Sequence, residues 1–470
     1  MGSYRRVVLA IAAVVAAVGA TAGTVAYNAA RSPAAPARGA APATATAAPT
    51  TVPPFPETPP PSPLALAADP AAGTPATAAG VARALAKALA DKALGARVNA
   101  LVVDAATGAT LYDRGSGAAV VPASTAKLFT AAAALRALGP DRTFETKVVA
   151  TGPIENGVLT GDLVVVGGGD PTLTAATGPT AYPHPARLAD LARAVRARGV
   201  RRVTGALVVD ATLFSGPGLA RGWKPTYVSE GSVAPVSAFE VDGGRLRPDD
   251  DDRSSAPDLL AGGKLRDALR RAGVAVATVR RGRAATVLSE VATVRSPPVS
   301  ALVERLLTRS DNDLAEALAR HVAIARGAGD DFAGAAGGVA ATVQELGVVP
   351  PPALADGSGL SPRDRATPAQ LVALLRLATT DAALAPVLSG LPVARFTGTL
   401  STRYDKGAAT RAAGLVRAKT GSLDNVSTLA GVVETRSGRL LVFAFAADRL
   451  PSRFPGTAAR ALDVAAAALV

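Results

Sequence analysis

The sequence predicts an α/β fold of the α+β kind: one antiparallel sheet flanked by helices, with the chain leaving that unit and returning to it. Three observations predict it. Near the start, RVNALVVDAATGATLYD reads as two short apolar strands around Ala-Thr-Gly, a hairpin signal. Near the end, GLVRAKTGS, VSTLAGVVET and RLLVFAFAA read as three successive strands. Between and around these lie runs with helical spacing, among them GVARALAKALADKAL before the first strand and a terminal helix from about Pro455.

Taken in order, the first residues are MGSYRRVVLAIAAVVAAVGATAGTVAY. Arg5 and Arg6 form a positive start, an uncharged apolar stretch follows, and Ala20-Thr21-Ala22 offers a small-residue cleavage site. Residues 1–30 are therefore expected to be a secretory signal. The alternative is an uncleaved transmembrane anchor, since the stretch is long enough to span a bilayer. Either way the bulk of the chain is expected outside the cytoplasm. Residues 31–76 are rich in Pro, Ala and Thr, including PPFPETPPPSP, and should form an extended spacer that buries no core. Folded structure is expected from about Thr77.

Composition removes several kinds of chemistry. Of 470 residues none is cysteine and only His184 and His321 are histidine. That excludes disulfides, thiolate-bound zinc, iron–sulfur clusters and a thiol nucleophile within the chain. A Ser-His-Asp triad would have to use a histidine lying in a turn (YPHPA) or inside a helix (EALARHVAIA), and neither has a motif partner. The net charge of +13 comes mainly from scattered arginines, which read as solvated helix faces or attraction to an anionic envelope surface. No basic block is interleaved with aromatics, so no nucleic-acid partner is expected.

What chemistry remains is carried by VPASTAKLF. Ser124 and Lys127 lie at i and i+3 where a long Ala/Leu helix begins, so both side chains share one face. A hydroxyl becomes a nucleophile only when a base takes its proton, and a lysine can do that only with a depressed pKa. Alone, Ser-x-x-Lys is weak evidence. Two further elements change this: Ser310-Asp311-Asn312 just before a helical run, and Lys419-Thr420-Gly421 on a strand, followed by Ser422. In this order, on a helix start, an inter-helix loop and an edge strand, the three are specific.

With these motifs the chain resembles the serine penicillin-binding enzymes, and more closely the D-alanyl-D-alanine carboxypeptidase/endopeptidase family of the penicillin-binding-protein 4 type, peptidase family S13. The stretch from Lys127 to Ser310 is far longer than in a class A β-lactamase, and this family is known for inserting domains there. GDLVVVGGGDPTL (161–173), APVSAFEVDGG (234–244), DGSGLS (356–361) and LPVA (391–394) look familial as well. The resemblance implies a transpeptidase/β-lactamase-like domain from 77–145 and 296–470, with a large strand-rich insertion at 146–295. It implies Ser124 as the acylated nucleophile, Lys127 as general base and Ser310 as proton relay. Asn312 would bind the substrate amide. Lys419 and Thr420, beside Gly421, would hold the terminal carboxylate, and the N–H groups of Ser124 and Ser422 would form the oxyanion hole. The implied substrates are peptidoglycan peptides, with β-lactam antibiotics as inhibitors and with no metal or cofactor. A silent wall-binding or penicillin-sensing protein and a β-lactamase are the competing readings; no ExxLN-like loop supports the last.

Four smaller features carry bland expectations. GGGDP should be a turn after a strand, and Asp249–Asp252 a solvated loop. Where relatives continue DGSGLS with Arg, this chain has Pro362 and then Arg363, so recognition of a diaminopimelate carboxylate would fall to Arg363. Arg395 and Thr397 stand where Gly and Asp are expected, which should alter that loop but not the fold.

Overall fold

The computed structural model describes residues 71–248, 250–284 and 289–470, so residues 1–30, expected to be a signal or anchor, and nearly all of the expected spacer lie outside the described residues. The first helix, α1 (Ala78–Ala88), starts at Thr77, whose hydroxyl accepts from the Gly80 amide. Strands β1 (Val98–Asp104) and β2 (Thr110–Arg114) follow as an antiparallel pair. A 3₁₀ turn at Ala123–Ala126 runs directly into α2 (Lys127–Leu138).

The chain then builds a second sheet. Its elements are β3 (Glu145–Ala150), β4 (Leu163–Val166), α3 (Leu188–Ala197), β5 (Leu207–Asp210), α4 (Pro257–Arg271), β6 (Val279–Arg281) and β7 (Ser289–Arg295). Its strand order is β7-β3-β4-β5-β6, with β3 antiparallel to both neighbours and β4, β5 and β6 mutually parallel. Parallel strands need crossovers. Here α3 and α4 supply them, and a further three-stranded sheet of Ile154–Glu155, Val158–Leu159 and Arg202–Val203 adds to the strands of the insertion. Its core packs Leu188, Leu191 and Val195 of α3 and Leu265 and Leu269 of α4 on Val165, Leu207 and Val209.

Back in the first unit come α5 (Val299–Arg309), α6 (Asn312–Ala325), α7 (Phe332–Glu345) and α8 (Pro368–Ala378). Three antiparallel strands close it, β8 (Val416–Leu423), β9 (Val426–Glu434) and β10 (Leu440–Ala447), with α9 (Gly456–Ala467) last. The sheet order is β8-β9-β10-β1-β2, which leaves β8 at one edge.

Burial follows the strand period of two. On β10, Leu441, Phe443, Phe445 and Ala447 face the layer of α1 and α9, while Leu440, Val442 and Ala444 face the layer of α2, α5 and α6. Both faces are covered, which is why LLVFAFAA is buried along its whole length and lacks the alternation of a half-exposed strand. In α2, Ala131–Ala134 are fully buried. Small side chains let this helix run through the middle of the helical layer, and its first turn faces the β8 edge.

Candidate active site

The turn that carries Ser124 is fixed from two sides. The Pro122 carbonyl accepts from Thr125 Oγ1 at 2.7 Å and from Thr428 Oγ1 of β9 at 2.8 Å, tying the turn to the sheet. Ala123 is held in the left-handed region at φ 49°. Such a conformation costs a non-glycine residue roughly 1–3 kcal/mol and persists only where packing dictates it. Gly421 of β8 lies directly against this turn. A Cβ there would overlap Thr428 Oγ1 and come within 2.8 Å of the Pro122 oxygen and 3.1 Å of the Ser124 nitrogen. The glycine of Lys-Thr-Gly is thus what lets the edge strand approach the serine.

Lys127 is fully buried one turn further on. Its Nζ lies 3.0 Å from Ser124 Oγ, 2.6 Å from Asn312 Oδ1 and 2.6 Å from the Ser358 carbonyl. Burial brings its pKa down from 10.5 to about 8, against the opposing field of Asp356, Glu316, Asp311 and Asp364. A neutral amine keeps two hydrogens, and two acceptors other than Ser124 are in place for them. Its lone pair is then left for the serine hydroxyl.

The Ser-Asp-Asn residues divide their work between two helices. Ser310 ends α5 in the left-handed conformation at φ 57°, where glycine is usual, and this turns its hydroxyl to Lys419 Nζ at 2.9 Å. Asp311 caps α6 by accepting from the Leu314 amide. Asn312 bridges Lys127 and, through Nδ2, the Ser232 carbonyl at 2.8 Å. Lys419, also fully buried, donates to the Thr420 carbonyl as well. Burial first, then the charges of Lys127 and Arg403, hold its pKa well below the ordinary value. Thr420 Oγ1 pairs with Thr399 Oγ1 at 2.9 Å. Ser422 follows on the exposed end of β8. All eight residues singled out in the sequence therefore converge on one cleft.

A carboxylate cluster beneath Lys127 was not foreseen. In DGSGLS, Asp356 accepts from the amides of Ser358, Gly359 and Ser361 and from Trp223 Nε1. This folds the loop so that the Ser358 carbonyl faces Lys127. Glu316 of α6 accepts from the Gly357 amide, and burial with Asp356 nearby pushes its pKa up to about 8. Asp364 is pushed up to about 9 by burial and the same neighbour. Its Oδ2 is buried without a donor, so the protonated acid can supply a hydrogen to Asp356.

The inserted segment forms one wall of the cleft. A cavity of about 320 Å³ is bounded by Ser124, Ser310, Asn312 and Ser422 from the motifs and by Lys224, Tyr227 and Ser232 from the insertion. Lys224 pairs with Asp424 beyond β8 at 2.8 Å. These insertion residues lie between β5 and α4, a stretch with no helical or strand periodicity to mark them.

The remaining features sit apart from the chemistry. His184 is exposed beside Thr180. His321 is buried, stacks on Phe144 with ring centres 3.7 Å apart, and burial drops its pKa to about 4. Gly167–Gly169 turn the chain after β4, and Asp170 caps its own loop through Thr172. Asp251 and Asp252 are exposed, while Asp250 pairs with Arg247. Arg363 is exposed and its side chain lies over Gly222 rather than lining the cleft. Arg395 adopts φ 75°, the left-handed conformation natural to the glycine expected there, and Thr397 Oγ1 accepts from the Val393 amide to close the loop.

An antiparallel sheet flanked by helices, with a serine–lysine pair against its edge strand, is the layout of a transpeptidase-like serine hydrolase. The model of the D-Ala-D-Ala carboxypeptidase 3 (S13) family matches residues 81–252 and 250–469, and the chain belongs to that family of serine peptidases. Carboxypeptidase DacB of Mycolicibacterium smegmatis is 40% identical over 402 residues, covering 84% of each chain. Carboxypeptidase Rv3627c of Mycobacterium tuberculosis is 40% identical over 377 residues, covering 78% of this chain and 80% of that one. Penicillin binding protein 4 (dacB) of Haemophilus influenzae has the same fold, with a TM-score of 0.69 at 22% identity over 84% of this chain and 98% of the other.

Proposed function

We propose that the protein removes the terminal D-Ala from peptidoglycan stem peptides through an acyl-enzyme on Ser124. The observation that carries this reading is the hydrogen bond between the buried Lys127 and Ser124, with Lys419 and Ser310 paired across the same cleft. Neutral Lys127 takes the Ser124 proton as Oγ attacks the penultimate carbonyl. Backbone N–H groups of Ser124 and Ser422 hold the developing oxyanion. Lys419 and Thr420 hold the terminal carboxylate, and Asn312 orients the amide. The C–N bond breaks as the leaving amine takes a proton relayed through Ser310. Water then attacks the ester by the reverse proton route, and the product acid leaves.

Penicillin presents a strained amide and a carboxylate in a similar arrangement, and would acylate the same hydroxyl. A cell-wall substrate puts the site of action outside the cytoplasm. The test is release of D-Ala from a pentapeptide ending in D-Ala-D-Ala, comparing wild type with Ser124→Ala. The expected result is turnover by wild type and none by the variant. Equal release by both, or by neither, contradicts the reading.

A further inference from the structure

The loop at 356–361 lies under the catalytic pair, and a buried side chain of the insertion takes part in shaping it. We propose that Trp223 and Asp356 are positioning residues for Lys127: the indole fixes the carboxylate, the carboxylate fixes the loop, and the Ser358 carbonyl of that loop aims the amine at Ser124. This rests on the acyl-enzyme reading above.

Each link joins buried groups. Trp223 Nε1 donates to Asp356 Oδ2 at 2.7 Å, and the same oxygen accepts from the Ser361 amide at 2.7 Å. Asp356 Oδ1 takes the Ser358 and Gly359 amides at 3.2 and 2.7 Å. One fully buried carboxylate thus gathers three loop amides and the indole. So held, the loop turns two carbonyls toward α2. That of Gly357 accepts from Thr130 Oγ1 at 2.7 Å, and that of Ser358 from Lys127 Nζ at 2.6 Å. Gly359 packs on the turn before Ser124, where a Cβ would overlap the Ala123 carbonyl. In so closely packed a site, a shift of the loop is felt at both the nucleophile and its base.

The indole is itself fixed. It lies edge-on to Phe332 of α7 and to Tyr227, with ring centres 5.3 and 6.4 Å apart. Tyr227 Oη donates to the Leu360 carbonyl at 3.2 Å, a second hold on the same loop. Tyr227 also lines the cleft, but neither Trp223 nor Asp356 is among the described residues that do. Those two therefore act on the reaction through the loop and not by touching substrate. Lys127 is faced as well by Asp311 and Glu316 of the α6 segment, by Asp364 after the loop and by Lys419 of β8. Of the acids whose field keeps its proton on, Asp356 acts most strongly.

The test is the rate of Ser124 acylation by a fluorescent penicillin from pH 6 to 9, beside D-Ala release from the pentapeptide. Trp223→Phe removes the indole N–H and keeps an aromatic ring. Its plateau rate should fall about tenfold, the effect of losing one hydrogen bond to a carboxylate. The inflection should move to lower pH, because the Lys127 ammonium loses a well-placed acceptor. Asp356→Asn should move it further in the same direction, since the field of the acid goes too. The same fall should appear in kcat/KM for the pentapeptide, because one base serves both substrates. An inflection left at its wild-type pH in both variants, or a loss confined to the pentapeptide, would overturn the positioning role. Should thermal melts show that Trp223→Phe does not fold, Tyr227→Phe carries the test by the same criteria, with a fall of about threefold. Wild type that fails to acylate, or D-Ala release by Ser124→Ala, would instead overturn the reading beneath it.

Discussion

If neutral Lys127 is the base, acylation of Ser124 must follow its titration. An ordinary lysine, with a pKa near 10.4, is neutral in only about 0.04% of molecules at pH 7. Burial brings Lys127 to about 8, so about 10% of it is neutral at that pH, a gain of roughly 250-fold in active base. Between pH 6 and pH 8 the neutral share climbs from about 1% to about 50%. The second-order rate of acylation by a fluorescent penicillin, measured by stopped flow at constant ionic strength, should therefore rise about fiftyfold over that interval and level off by about pH 9. Asp311→Asn gives a second, signed check. Asparagine caps a helix as well as aspartate, but it removes one of the negative charges that hold the Lys127 proton on. The inflection should move to lower pH. A profile that is flat from pH 6 to 8, or an inflection that moves upward in the variant, would refute the assignment.

Three other outcomes follow from the same geometry. Gly421→Ala should push β8 off the Ser124 turn, costing about 1–3 kcal/mol of stability and most of the acylation rate, read by thermal melts and penicillin labelling. Asn312→Ala should slow acylation and move its pH inflection, because Lys127 loses an acceptor at 2.6 Å; a variant with the wild-type profile would contradict that role. Asp364→Asn should raise the melting temperature at pH 8 and leave it unchanged at pH 3. The sign comes from a carboxyl raised from 3.8 to about 9: the folded state keeps a proton that the unfolded chain has lost, so stability falls as pH rises through that window. A variant less stable at pH 8 would show that the ionised acid is needed.

The parts of the molecule legible in the sequence are those whose signal is local. Short apolar runs rich in Val and Phe, bounded by turn residues, marked β8, β9 and β10, and Ser-x-x-Lys, Ser-x-Asn and Lys-Thr-Gly marked their own turns. The acids around Lys127 had no such signal. Glu316 sits inside a regular helical run and Asp356 in a loop, and they meet Lys127 only through contacts across roughly two hundred residues of chain. Trp223, Lys224 and Tyr227 were missed for the same reason: their irregular segment takes its shape from what it packs on, including the Asp356 carboxylate. His321 is a buried core residue because Phe144 and the helical layer leave its ring no access to the cleft.

The central claim is that Ser124, activated by Lys127, carries the acyl group. Its most direct test is to trap the protein with penicillin and locate the adduct by peptide mapping and mass spectrometry. The penicilloyl group should be found on the peptide containing Ser124, and it should be absent from Ser124→Ala and from Lys127→Met. An adduct on Ser310, Ser422 or any other residue, or undiminished labelling without Lys127, would contradict the account.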